Sequence, residues 1–260
     1  MKSEDLTSST AYKRFIVLSG PRVGSTLLAT SLNSNPDIVC LGEVFNPSLK
    51  SIGNADDVDL RSASPADYLR TRIFSRYPDN IRAVGFKFHY HHFWWYPGVR
   101  EALEDDEDIL IVHLERRNLL RILVSSKTSV ETGVNFQRAG IRGVTTMIRR
   151  ILLQHTFASG RTVSISPREF NDFAIQRTMQ AKGWGRLFAR QQTLPVFYEE
   201  MTADLQEEFA RIQSFIGVTP TTLKVGLVRQ NPQKLEDLIE NYAELRRACS
   251  GSPSEWMFDD

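Results

Sequence analysis

With 260 residues, 41% of them hydrophobic and 24% charged, the chain is long enough to bury a sizeable core and has the make-up of an ordinary globular protein. A formal net charge of +1 removes any bulk attraction to nucleic acid or to an anionic membrane, so affinity for an anionic ligand has to be local. The two cysteines, Cys40 and Cys249, are too few and too far apart for a disulfide framework or a metal site.

The N-terminal MKSEDLTSSTAYKR carries no apolar segment, and no stretch approaches the ~20 apolar residues of a membrane span. This is the pattern of a cytoplasmic protein, with residues 1–12 as a flexible tail. Phe15–Leu18 is a short apolar run that suits a strand buried on both faces. Ser19–Thr26 follows as a turn with Gly20, Pro21 and Gly24, and STLLATSL from Ser25 is compatible with a helix. Strand, glycine turn and helix start together make a cradle for a phosphate, because first-turn N–H groups and the helix dipole both favour an anion.

NSNP at Asn33–Pro36 stops that helix, and Ile38–Leu41 forms a short strand that delivers Gly42 and Glu43 into a loop. Pro65–Tyr77 has helical spacing. AVGFKFH at Ala83–His89 reads as a strand on which Lys87 and His89, two apart, share a face. The aromatic run HHFWWY, His91–Tyr96, suits the wall of an acceptor pocket, and equally a core. His92 is expected to point away from His89 and His91 as on a strand, and with no fourth ligand in sight no metal is expected.

ILIVHL at Ile109–Leu114 is a second buried strand, and the RRNLLRILVSSKTS behind it starts a helix. Residues 133–160 are basic; Arg138, Arg142, Arg149 and Arg150 suit an anionic glycan or lipid head group, and equally a solvated helix face. Ser166-Pro167-Arg168-Glu169 is a capping-box signature. LPVFY at Leu194–Tyr198 is a third short strand, with amphipathic helices expected over residues 202–216 and Leu235–Cys249. The alternation predicts an α/β fold, a P-loop-type parallel sheet flanked by helices on both faces, as a single domain over residues 13–250 with a tail at 251–260. Ligands then sit beyond the carboxyl ends of the strands, where Ser19–Thr26 and Glu115–Asn118 lie.

A nucleoside triphosphatase loop reads GxxxxGK[ST]. Here the segment is GPRVGST, one residue short between glycines, with no lysine before Ser25 and Arg22 as its cation. Transfer of a γ-phosphoryl group is disfavoured without that lysine, and the loop fits a donor other than ATP.

PRVGSTLL resembles the 5′-phosphosulfate loop of the sulfotransferases, usually P-[KR]-[ST]-G-[ST]-[TS], with Val23 departing at one position. RNLLRILVS, from Arg117 to Ser125, resembles the family's 3′-phosphate site, and FYEEMTADLQEEFARIQSFIGV is similar to its "YEDL…FLG" region. The order of segments is most similar to bacterial carbohydrate sulfotransferases of the NodH-like and Stf0-like kind. The resemblance implies a co-substrate, 3′-phosphoadenosine 5′-phosphosulfate, and transfer of its sulfuryl group to a hydroxyl of a carbohydrate or glycolipid. It implies that Pro21, Arg22, Val23, Gly24, Ser25 and Thr26 hold the phosphosulfate, Arg117 and Ser125 the 3′-phosphate, and Tyr198 the purine. Arg229 or Lys234 is a further candidate for a phosphate. Glu43 resembles the family's "GE" carboxylate base and is the first choice for that role; His89, in Lys-x-His, is its rival. Lys87 and Arg22 are the candidate cations for the transferring group. No metal, nucleic acid or integral membrane segment is implied. The alternatives are a kinase-like P-loop enzyme and a sulfotransferase-fold protein that binds nucleotide without catalysis.

Overall fold

The computed structural model describes residues 7–46, 61–96, 98–132, 162–226 and 233–259. The basic stretch with Arg138, Arg142, Arg149 and Arg150 lies outside them, as does Arg229. Backbone contacts divide the chain into two compact units, Met1–Arg117 with Met179–Val228, and Asn118–Thr178 with Arg229–Asp260.

Among the described residues the strands are β1 (Ser8–Ser9), β2 (Lys13–Ser19), β3 (Ile38–Leu41), β4 (Tyr77–Pro78), β5 (Ala83–His89), β6 (Leu110–Glu115) and β7 (Thr193–Phe197), all in the first unit. β1 and β4 form a small antiparallel pair. The other five make a parallel sheet in the order β3-β5-β2-β6-β7. β2 is central, and its Phe15–Leu18 run is no more than 1% exposed, which is why it is apolar without alternation. Gly85 of β5 is registered with Phe15 of β2, and a Cβ there would meet the Phe15 ring at 2.6 Å, so the position excludes a side chain. Phe86 and Phe88 join Ile16, Leu18 and Phe45 in an aromatic-rich core, to which Trp184 and Leu187 also pack. Lys87 and His89 therefore point to the other face.

From β2 the chain first builds β3 and β5 on one side and then crosses to β6 and β7 on the other. The carboxyl end of β2 is thus a topological switch point, where open parallel sheets leave a crevice for ligands. Ser19 closes β2 there, in register with His89 on one side and Leu114 on the other. The helix α1 (Ser25–Leu32) starts just beyond, over the residues the sequence marks. Helical spacing over Pro65–Tyr77 yields only a short helix, Pro65–Tyr68, and a π-helical turn, Leu69–Ile73; Tyr77 is drawn off into β4 by its pairing with Ser9.

In the second unit, the helices Leu119–Thr132, Tyr242–Cys249 and the start of Pro167–Leu187 surround a core that includes Leu120, Val124, Phe170, Leu245 and Phe258. Half of the capping box forms: the Glu169 N–H donates to Ser166 Oγ at 3.1 Å, but the Glu169 carboxylate goes to Lys127 at 2.7 Å instead of back to the cap. The expected continuous helix over Leu235–Cys249 is interrupted after Leu238. There the Glu240 N–H bonds the Val163 carbonyl, and the Asn241 side chain pairs with both backbone groups of Ile165. Backbone pairing with residues 163–165 outcompetes helical continuity. No described helix is long and apolar enough to cross a membrane.

Candidate active site

Between β2 and α1 the chain turns through Arg22 at φ 69° and Gly24 at φ 93°. At Gly24 the demand for glycine is twofold. The backbone is left-handed, and a Cβ would meet the Tyr198 ring at 2.7 and 2.9 Å. No side chain caps α1 and its first turn holds no acidic residue, so the start of the helix is presented as an anion site should be.

Beside this turn lies a buried polar cluster. Lys87 Nζ donates to Thr26 Oγ1 at 2.9 Å and to Glu43 Oε1 at 3.0 Å. His89 Nε2 is 3.0 Å from the same Oε1, and Asn46 Nδ2 donates to Oε2 at 2.8 Å. His89 Nδ1 is 3.1 Å from Ser19 Oγ. Glu43, Lys87 and His89 are each no more than 5% exposed. The strand period gives the placement: Lys87 and His89 share a face of β5, and Glu43 arrives from the end of the neighbouring strand β3.

Burial by itself would raise the Glu43 carboxyl, but the hydrogen bond from His89 and the Lys87 charge overcome it and hold the group well below the usual carboxylate range. Burial pushes both His89 and His92 down, against the pull of Glu43. The cluster is therefore one carboxylate, one ammonium and two neutral imidazoles. In the tautomer this network assigns, the His89 Nε2–H donates to Glu43 and its Nδ1 accepts the Ser19 hydroxyl.

The expected direction of His92 is corrected. β5 ends at His89, and His92 opens the short helix α2 (His92–Trp95), which folds its ring back to 3.8 Å from Glu43 Oε2. His91 stacks on His89 with centroids 5.6 Å apart. Among the described residues no cluster of three or more His, Cys, Asp or Glu forms a metal site. Trp94 and Trp95, for which a core position was the alternative, are 80% and 46% exposed, whereas Phe93 and Tyr96 of the same run are buried.

On the β6–β7 side, the Arg116 guanidinium lies 4.4 Å above the Tyr198 ring. Tyr198 thus packs between Gly24 and a cation. Arg117 is exposed, 2.6 Å from Glu200 Oε1 and 3.9 Å over the Phe197 ring, and its N–H donates to Glu199 Oε2 at 3.1 Å. Ser125 is half-buried on the helix Leu119–Thr132, in the other unit from Arg117. Lys234, also in the second unit, is paired with Glu236 at 3.3 Å. Sequence reasoning missed Asn46, Ser19, Arg116 and His92. Only Ser19, the polar residue ending an apolar strand before a glycine turn, carried a signal.

An uncapped helix start at the switch point of a parallel sheet, tied by a lysine to a buried carboxylate, is an arrangement suited to holding a phosphate-like anion next to a proton-accepting group. The sulfotransferase domain profile matches residues 178–244. Nodulation protein H of Rhizobium tropici is 23% identical over 252 residues, covering 94% of this chain and 92% of its own length. Among solved structures, a sulfotransferase from Alicyclobacillus acidocaldarius shares 18% identity, with a TM-score of 0.49 and coverage of 95% of this chain and 96% of that one. A mouse sulfotransferase complexed with PAP shares 15% identity, with a TM-score of 0.40 and coverage of 84% and 66%. The chain is thus similar to sulfotransferases in two comparisons of sequence, over residues 178–244 by the domain profile and over most of its length by nodulation protein H.

Proposed function

We propose that the chain transfers the sulfuryl group of 3′-phosphoadenosine 5′-phosphosulfate to an acceptor hydroxyl of a carbohydrate or glycolipid. The observation that carries this reading is the Lys87 bridge, which ties the Glu43 carboxylate to Thr26 in the first turn of the loop helix. It sets a proton acceptor and a cation beside the place where the loop would hold a phosphosulfate. The Gly24 turn supports the fit, since its left-handed backbone packs directly against the Tyr198 ring and leaves no room there for a side chain.

In the reaction, the acceptor oxygen forms a new bond to sulfur as the bond from sulfur to the 5′-phosphate oxygen breaks. The electron pair stays on the phosphate of the product, 3′,5′-ADP, and the acceptor proton passes to Glu43. Arg22, the loop N–H groups and the Ser25 and Thr26 hydroxyls meet the phosphosulfate, and Lys87 offsets charge growing on its oxygens. His89 is assigned the task of holding Glu43, since both its ring nitrogens face cluster partners. Arg117 is read as a 3′-phosphate contact, and Tyr198 as a brace under the loop as well as a purine contact. A sugar acceptor is supported by the exposed indoles of α2. Trp95 stacks on His92 at 5.7 Å, one ring removed from Glu43, and flat indole faces suit pyranose rings.

Calorimetry with 3′,5′-ADP and ATP tests the donor. The expected result is tight binding of the first, weak binding of the second, and loss of the preference in Arg117→Ala. Equal affinity of the wild-type chain for the two nucleotides would sink the reading.

A further inference from the structure

His92 is completely enclosed, at 0% exposure, yet its Nε2 has no hydrogen-bond partner. Its Nδ1 accepts the backbone N–H of His89 at 3.2 Å, so the proton of the neutral ring sits on Nε2. That N–H faces Glu43 Oε2 across 3.8 Å, beyond hydrogen-bond reach. A buried donor left unspent is costly, and its place beside a carboxylate asks for a reason.

The groups that face Glu43 supply one. Lys87 and His89 from β5 both serve Oε1, Asn46 serves Oε2, and His92 approaches from α2. Lys87 is shared with Thr26 of the loop helix. On the reading of the donor given above, which this inference assumes, a bound 5′-phosphate or phosphosulfate attracts that ammonium. Any turn of Lys87 toward the anion loosens its hold on Glu43, at the stage when the carboxylate has to be ionised.

We propose that His92 is a positioning residue whose Nε2–H is held in reserve for Glu43 and closes on Oε2 when the bound donor draws Lys87 away. Its Nδ1 is committed to a backbone N–H, so the ring can donate to the carboxylate but is poorly placed to carry off its proton. Phe88 meets the ring edge-on at 5.3 Å and Trp95 stacks on it at 5.7 Å, which fixes the ring plane and leaves Glu43 as the partner that moves. Burial keeps the imidazole neutral, as a reserve donor of this kind requires.

The test follows Glu43 itself and needs no acceptor. Protein carrying 13C at the glutamate side-chain carboxyls is titrated by NMR, free and with 3′,5′-ADP, with the Glu43 signal identified by its loss in Glu43→Gln. In His92→Phe the Glu43 midpoint should match wild type in the free protein and rise by about one pH unit, roughly tenfold in the ionisation constant, with 3′,5′-ADP bound. His92→Gln, which keeps an N–H of similar reach, should restore the wild-type titration. Should the Phe variant not fold, His92→Leu lacks the same donor and carries the same expectation. A midpoint unmoved by the loss of His92 with 3′,5′-ADP bound, or moved equally in both states, overturns the proposal while leaving the donor assignment intact. Failure of the wild-type chain to bind 3′,5′-ADP overturns both.

Discussion

The two flanks of the β2 loop are built on opposite plans. On the β3–β5 flank, Glu43, Lys87 and His89 are buried and bonded to one another or to Ser19 at about 3 Å. On the β6–β7 flank, Arg117 stands exposed against Phe197 and is neutralised by Glu200. The first arrangement is preorganised: its charges are fixed before any ligand arrives, and that suits groups acting on a transition state. The second is provisional. On the reading proposed above, a phosphate at this guanidinium would compete with a carboxylate, which suits a group that recognises its ligand.

If the buried flank does the chemistry, its loss should be severe and confined to turnover. Glu43→Gln keeps the shape and the Asn46 contact but removes the proton acceptor. The expected fall in kcat is about 10²- to 10⁴-fold, with affinity for 3′,5′-ADP within about twofold of wild type. Parallel loss of both would merge the two flanks into one binding site.

Acid should also find the buried histidines first. His113 on β6, bonded to the Tyr90 hydroxyl at 2.7 Å, is pushed down to about 4 by burial, and His89 and His92 are lowered for the same reason. The unfolded chain takes up protons near the ordinary histidine value of about 6.5 that the folded chain refuses. Their contribution is therefore complete above about pH 6.5 and is lost as pH falls toward 4. His113 alone accounts for roughly 3 kcal/mol across that window. Urea midpoints measured from pH 7 to pH 4.5 should decline steeply, and His113→Gln should flatten the slope. An identical slope in that variant would contradict the assignment.

The loop between the flanks is held by the Tyr198 ring. Gly24→Ala places a methyl 2.7 Å from Tyr198 Cδ2 at a left-handed backbone position. Overpacking and backbone strain together should weaken 3′,5′-ADP binding about 10- to 100-fold. Tyr198→Ala added to Gly24→Ala should recover the part due to the clash and leave the part due to φ. Binding that is additive in the double variant would mean that the ring does not brace the loop.

The sequence revealed the two flanks unequally. β2, α1 and β5 were legible because each is a local pattern: an apolar run, a glycine turn before helix formers, and alternation in AVGFKFH. The pairing of Lys87 with Glu43 was not, because it depends on β3 lying beside β5, which local patterns leave open. His92 was misread because the end of a strand is a tertiary event. The Tyr90 N–H is taken by the Ser19 carbonyl, and the chain turns there instead of continuing the pleat. Arg117 was singled out by resemblance, but the carboxylate that covers it was not foreseen, since Glu200 follows a strand that sequence alone does not set beside β6.

That covering carboxylate gives the smallest and most diagnostic effect. The Arg117–Glu200 pair is exposed on both sides, at 46% and 51%, so it contributes little to stability, on the order of 0–1 kcal/mol. If a phosphate has to displace Glu200, then Glu200→Gln removes a competitor for Arg117 and should tighten 3′,5′-ADP binding by up to about fivefold without changing ATP binding or the urea midpoint. Raising the salt concentration should shrink the gain, because exposed charges are screened. Weaker 3′,5′-ADP binding in Glu200→Gln would show that Glu200 holds Arg117 in place for the ligand, and the exposed flank would then be as preorganised as the buried one.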